Sequence, residues 1–150
     1  MPIFHDAHFR HAQYYQSVLV KLENEFLGNS MVLDKFNLEW ANIENAHSWL
    51  SENLQETVAM QLCSIFPDAG AHVLDVICTP RDRLRWRQEG LKAATYLNDS
   101  LRMANHLNNI GLAYADLGAF DKAIEAYQSS IDLVGELDRS VVLTNLGDVY

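Results

Sequence analysis

Basic residues are scarce in this sequence. Among its 150 residues, 20 are Asp or Glu and only 11 are Lys or Arg, which gives a formal net charge of -9. A surface of this sign repels phosphate backbones and anionic lipid, so neither nucleic acid nor a membrane is expected as a partner. One basic run departs from this balance, and we interpret it as a solvated helix face: Arg81, Arg83, Arg85, Arg87 and Lys92.

Cysteine and long apolar runs are also lacking. Cys63 and Cys78 are too few for a disulfide framework and do not form a C-x-x-C motif, so a reducing, cytoplasmic setting is expected. The N-terminus has no basic stretch that leads into an apolar core, and no apolar run is long enough to span a bilayer. Neither secretion nor membrane insertion is therefore expected.

Motifs that carry chemistry are missing as well. No glycine is followed by lysine, so the phosphate-binding motif G-x-x-x-x-G-K-[ST] is absent, and no local spacing assembles a nucleophilic or paired-carboxylate site. His5, His8 and His11 raise the alternative of a metal-dependent hydrolase, but each step of three turns about 60° backwards around a helix. A solvated or partly packed histidine face is favoured, and we expect no enzyme, no metal and no cofactor.

The apolar residues that are present repeat in steps of three and four, which is typical of amphipathic helices. The first such stripe runs from residue 9 to 26 behind Asp6 as N-cap, and the second runs from residue 33 to 50 behind Ser30, ending near Asn53. A short connection between helices of this length predicts an antiparallel hairpin.

The middle of the chain is less regular. Residues 67–70, Pro-Asp-Ala-Gly, interrupt the apolar pattern between residues 56 and 78 and predict two short helices with a break. A strand over residues 71–78 is the alternative, although it has no partner strand. Pro80 suits the first position of a further helix, which is predicted to run to residues 98–99.

The last third of the chain contains an internal repeat. Residues 107–114 (LNNIGLAY) and 143–150 (LTNLGDVY) lie 36 positions apart, are identical at four of eight positions, and at a fifth pair Ile110 with Leu146. A period of this length is the mark of a stacked helical solenoid. Gly111 and Ala123 are predicted to let two helices approach closely, with a break at residues 117–119 and Asp121 as the cap of the second helix.

These residues resemble the tetratricopeptide repeat, with its pattern W-x2-L-G-x2-Y, A-x3-F and P. Leu107 stands in place of the Trp, Ile110-Gly111 in place of Leu-Gly, and Gly135 in place of the Pro, while Tyr114 and the pair Ala123 and Tyr127 match. The resemblance implies an all-α fold of antiparallel hairpins stacked as a right-handed solenoid. Residues 99–150 would hold one full repeat, at about 104–137, and the first helix of a second, and residues 1–98 would form divergent hairpins.

The helices before the repeat, among them the Trp86-x3-Gly90 segment, look like those that precede tetratricopeptide arrays in bacterial STAND-type signalling ATPases. Two functions follow as expectations. The first is a scaffold that binds a peptide or partner protein in the concave groove. The second is a sensor or transmission arm of a larger ATPase or transcriptional regulator.

The resemblance also assigns the residues of the groove. In related repeats the residue two positions before the Gly, here Asn109 and Asn145, forms hydrogen bonds with the backbone of a ligand. An asparagine side chain suits this role because its amide both donates and accepts hydrogen bonds. The alternative is that these asparagines are solvated or bonded within the stack. The full set of expected partner-binding residues is Asn105, Asn108, Asn109, Leu112, Asp116, Asn145 and Asp148.

The last helix is expected to present an open apolar face of Val142, Leu146, Val149 and Tyr150. In a solenoid such a face is covered by the next helix. Either the chain is a fragment of a longer protein or this face mediates self-association.

Overall fold

The computed structural model describes residues 2–26, 31–134, 142–143, 145 and 147–149. Every regular element in this part of the chain is helical, and sequential helices pack as antiparallel pairs, consistent with a TPR-like helical repeat. The elements are α1 (Pro2–Phe26), α2 (Val32–Glu52), α3 (Thr57–Ile65), a 3-10 helix (Phe66–Gly70), α4 (Ala71–Ile77), α5 (Pro80–Tyr96), α6 (Ser100–Asp116) and α7 (Phe120–Leu133). The predicted all-α class is confirmed, and the right-handed sense of stacking stays a prediction.

The helices group into two compact units, Met1–Ile77 and Cys78–Tyr150. The first unit holds α1 to α4, and the second holds α5 to α7 with the helical residues that follow. The sequence-based division between residues 98 and 99 was predicted from the repeat pattern and differs from the boundary between the compact units. That division is not tested by compactness and stays a proposal.

The first unit is built around the predicted α1–α2 hairpin. Leu19 of α1 and Phe36 and Ile43 of α2 are fully buried, in agreement with the two apolar stripes. His47, on the same stripe of α2, is also fully buried, with its ring centroid 5.4 Å from that of Phe66. Each large apolar side chain buried in this way stabilises the fold by about 1.5–3 kcal/mol.

Residues 56–78 form two short helices, as predicted, and the break between them is the 3-10 helix at Phe66–Gly70. The alternative of a strand over residues 71–78 is wrong, since α4 occupies Ala71–Ile77. The start of α4 is held from outside by Glu23 of α1. Its carboxylate accepts the backbone N–H groups of His72 at 3.1 Å and Val73 at 3.0 Å.

Two of the predicted helix caps are wrong. Asp6 does not cap α1, because the helix begins at Pro2, whose fixed φ and missing N–H suit a first position. Asp121 does not cap α7, because Ala119 is the N-cap residue and Asp121 lies in the first turn, where its charge still favours the helix dipole. Ser30 lies outside the described residues. Pro80 does occupy the start of α5, behind Thr79, whose hydroxyl accepts the N–H of Asp82.

The prediction that the basic run forms a solvated face is wrong for two of its members. Arg87 is 7% exposed, and the side chain of Arg83 is 17% exposed. The reason is geometric, because residues two apart on an α-helix point to nearly opposite sides. A run at every second position therefore cannot lie on one face of α5.

Candidate functional site

The site lies on the hairpin of α6 and α7. The Asp99 carboxylate caps α6 by accepting the N–H of Arg102 at 3.0 Å. The helix ends at Asp116, and Gly118 follows with a φ of 71°, a left-handed conformation that glycine adopts without a steric penalty. The chain thus turns back into α7 at the predicted break.

Close packing between α6 and α7 depends on Gly111. A Cβ added there would lie 2.6 Å from Cδ1 of the fully buried Tyr127, so only a residue without one fits. Ala123 is fully buried beside Tyr127, and the Ser130 hydroxyl donates to the Ala104 carbonyl across the hairpin at 2.7 Å. The short residues thus bring the two helices together as predicted, with the Tyr127 ring as the direct neighbour of Gly111.

We call residues 142–143, 145 and 147–149 the C-terminal segment. Residues 142–143, 145 and 147 of this segment are helical and continue the helical repeat beyond α7. Val142 is 5% exposed and joins the buried cluster of Ala123 and Tyr127, and Val149 packs against the same cluster. The prediction of an open face is therefore wrong for Val142, because the preceding hairpin covers it. Leu146 and Tyr150 lie outside the described residues, and self-association through this face stays a prediction.

The expected groove residues of α6 form one line along the helix. Asn105, Asn109, Leu112 and Asp116 recur at steps of four, three and four and are exposed or half-buried, Leu112 being 37% exposed. The Asn109 side-chain amide donates to both the carbonyl and the side-chain oxygen of Asn105, at 2.9 Å each. The donors of Asn109 are thus engaged within α6, and its side-chain oxygen is left to accept.

A second amide contact joins the two adjacent helices of the groove. Nδ2 of Asn145 in the C-terminal segment donates to Oδ1 of Asn108 in α6 at 2.9 Å, and both residues are half-buried. Each amide has two N–H donors and an oxygen with two lone pairs, so one mutual bond leaves both side chains with donor and acceptor capacity. The structure therefore pairs Asn145 with Asn108 rather than with Asn109.

A pocket of about 180 Å³, with both apolar and polar walls, opens beside this amide pair. Its wall residues come from α6, the end of α7 and the C-terminal segment: Leu101, Ala104, Asn105, Asn108, Ser130, Val134 and Val142. Five wall residues were not among the expected groove residues: Leu101, Ala104, Ser130, Val134 and Val142. Leu101, the second residue of α6, is 65% exposed, and an exposed leucine in a first helical turn is the signal that could have indicated it.

The opposite end of the groove is acidic. Asp116, at the end of α6, is bonded by the guanidinium of Arg83 from α5 at 2.5 Å, and its side chain is still 51% exposed. Asp148 of the C-terminal segment is exposed. Burial raises the pKa of the Tyr127 hydroxyl, and the carboxylates of Asp116 and Asp148 raise it further. Both carboxylates therefore act on one hydroxyl.

The described histidines of the N-terminal helix lie beside aromatic rings. His8 stacks on Trp49 with ring centroids 5.8 Å apart, and the His11 ring lies 4.7 Å from that of Tyr15. Among the side chains that the structure describes, no group of three or more His, Cys, Asp or Glu could hold a metal ion. The side chain of His5 lies outside that set.

Antiparallel helix pairs that follow one another along the chain define a helical-repeat architecture. The family model that matches is the tetratricopeptide repeat, over residues 104–134. This span contains most of α6 and all of α7. No curated protein and no solved structure matches the chain. The motif suggests a role in protein–protein interaction, with protein partners in general, and such repeats are typically non-catalytic.

Within the described ranges, no helix combines the length and the apolar content needed to cross a membrane.

Proposed function

We propose that this protein is a non-catalytic scaffold that binds an extended peptide segment of a partner protein between α6 and the C-terminal segment. The proposal rests on the amide pair of Asn108 and Asn145, 2.9 Å apart, which offers donor and acceptor groups side by side. An extended peptide presents alternating C=O and N–H groups, and such a pair can bond both without reading a side chain.

The pocket beside the amide pair supplies the apolar part of the interaction. Leu101, Ala104 and Val142 line it, and an aliphatic side chain of the peptide would contact them and bury chiefly the exposed surface of Leu101. Peptide sites of this kind combine backbone hydrogen bonds, which give affinity, with a side-chain pocket, which gives selectivity. Asn105, Asn109, Leu112, Asp116 and Asp148 extend the contact surface along the groove. Cys63 and Cys78 are not joined in a disulfide, which fits a reducing, cytoplasmic environment as part of the proposal.

Selection of random 12-residue peptides displayed against the purified chain tests the proposal. Asn108→Ala and Asn145→Ala should each weaken an enriched peptide about 3- to 10-fold, the value of one hydrogen bond, with little change in melting temperature. Asn109→Ala should have a smaller effect, because its amide donors bond within α6. Gln128→Ala, an exposed amide on α7 outside the pocket, is the matched control.

Two results would contradict the proposal. Enriched peptides that bind Asn108→Ala and Asn145→Ala as tightly as the natural chain would place the contact elsewhere. Loss of fold in both variants would show instead that the amide pair holds the hairpins together, which is the alternative of asparagines bonded within the stack.

A second candidate is the transmission arm of a larger ATPase-coupled regulator of the STAND type. The observation that favours it is the tight attachment of α5 to the repeat. A Cβ at Gly90 of α5 would lie 2.6 Å from Cε1 of the buried His106 of α6, and Arg83 bonds Asp116. A displacement of α6 on ligand binding would therefore be passed to α5.

Hydrogen exchange of the backbone amides tests this second candidate. When an enriched peptide binds, exchange should slow in α5 as well as in α6, because the two helices share these contacts. Slower exchange confined to α6 and the C-terminal segment would leave the scaffold function without a transmitting role.

A further inference from the structure

The groove carries its charge at one end. Between Arg102 and Asp116 the sequence of α6 has no Lys, Arg, Asp or Glu, so the charged groups of this line begin at Asp116. Residues 103–150 as a whole contain seven Asp or Glu and two Lys or Arg. Asp116 and Asp148, whose carboxylates both act on the Tyr127 hydroxyl, therefore place the negative charge of this line at one end of the groove.

One cation of the chain itself already lies at this end. The Arg83 guanidinium donates to Oδ2 of Asp116, whose side chain remains 51% exposed and so open to a second contact. The pair offsets one negative charge, and the exposed Asp148, whose carboxylate acts on the same Tyr127 hydroxyl as Asp116, supplies another. The C-terminal end of α6 adds the negative end of a helix dipole, which also favours cations.

The other end of the groove holds the pocket. Leu101, Ala104, Val134 and Val142 line it together with Asn105, Asn108 and Ser130. From Asn108 to Asp116 α6 advances about 12 Å, since an α-helix rises about 1.5 Å per residue. An extended peptide covers this length with three or four residues.

Resting on the function proposed above, we propose that the partner segment is basic: an extended peptide with an aliphatic residue in the pocket and a Lys or Arg three or four positions away, held by Asp116 and Asp148. The Asn108–Asn145 pair bonds the backbone between these two side chains. Exposed ion pairs are weak one at a time, so the acidic end selects among peptides while the amide pair and the pocket hold them.

The displayed 12-residue peptides described above provide the test. Enriched peptides should combine an aliphatic residue with a Lys or Arg at the stated spacing. Replacing that Lys or Arg by Gln in a synthetic copy should weaken binding about 2- to 5-fold at low salt, with a smaller difference at high salt. Asp148→Asn should weaken the basic peptide by the same factor and leave its Gln copy unaffected. Glu125→Gln, an equal charge change at an exposed position of α7, should leave both unchanged.

The outcomes separate this inference from the proposed function. Enriched peptides that are neutral or acidic, yet still depend on Asn108 and Asn145, would overturn the basic partner and leave the peptide groove standing. Equal losses from Asp148→Asn and Glu125→Gln would also overturn it, because the effect would then follow from net charge alone. Enriched peptides that ignore Asn108 and Asn145 would remove the groove function and this inference together.

Discussion

At the residue scale, Gly111 and Gly147 occupy equivalent positions of the two repeat copies, 36 residues apart, in different surroundings. A Cβ at Gly111 would meet the ring of Tyr127, whereas a Cβ at Gly147 would meet nothing within 4 Å. The same substitution should therefore have opposite effects at the two sites.

Gly111→Ala should lower the free energy of unfolding by about 1–2 kcal/mol, because the buried Tyr127 ring must shift, which outweighs the gain in helix propensity. Gly147→Ala should leave it unchanged or raise it by up to about 1 kcal/mol, because only the propensity gain applies. Urea denaturation followed by circular dichroism measures both. Equal stabilities of the two variants would show that Gly111 is not needed for close packing.

At the element scale, α4 depends on a carboxylate from a different helix. Burial by itself raises the pKa of Glu23, but the hydrogen bonds from the Val73 N–H and from His72 outweigh it and lower the pKa below its ordinary value. A carboxylate whose pKa is lower in the folded chain than in the unfolded chain, where it is about 4.3, stabilises the fold at pH values above this unfolded value. This stabilisation is lost as the pH falls through the folded value.

Glu23→Gln should therefore lower the free energy of unfolding at pH 7 by about 1–2 kcal/mol, the usual cost of losing a helix cap, and by less at pH 3. Denaturation at the two pH values measures this difference. Glu25→Gln is the matched control, because it makes the same charge change two residues further along α1. Glu25 forms a solvated ion pair with Lys35, so this variant should lower the free energy of unfolding by less. An equal loss at pH 3 and pH 7 would contradict a role for the ionised carboxylate.

At the scale of the whole molecule, every residue of the candidate groove belongs to the second compact unit, Cys78–Tyr150. A fragment of residues 78–150 should therefore fold as helix and bind an enriched peptide within about 3-fold of the full chain, since no groove contact is removed. Circular dichroism and fluorescence polarisation measure the two properties. A folded fragment that has lost binding would mean that the first unit contributes to the site.

The sequence by itself determined the all-α class, the α1–α2 hairpin, the break at residues 67–70, the start of α5 and the α6–α7 hairpin. These features depend on apolar spacing, Pro67, Pro80 and Gly118, which act on the chain locally. It also placed the candidate residues Asn105, Asn109, Leu112 and Asp116 of α6 on one line, because positions three and four apart share a helix face.

Tertiary structure decided the contacts between groups distant in sequence. The cap of α4 by Glu23, the burial of Arg87, the pairing of Asn145 with Asn108 and the pocket reaching from Leu101 to Val142 all join separate helices. Periodicity shows which face of a helix is apolar but not which neighbour covers it. The partner of each polar side chain is therefore fixed only when the helices pack.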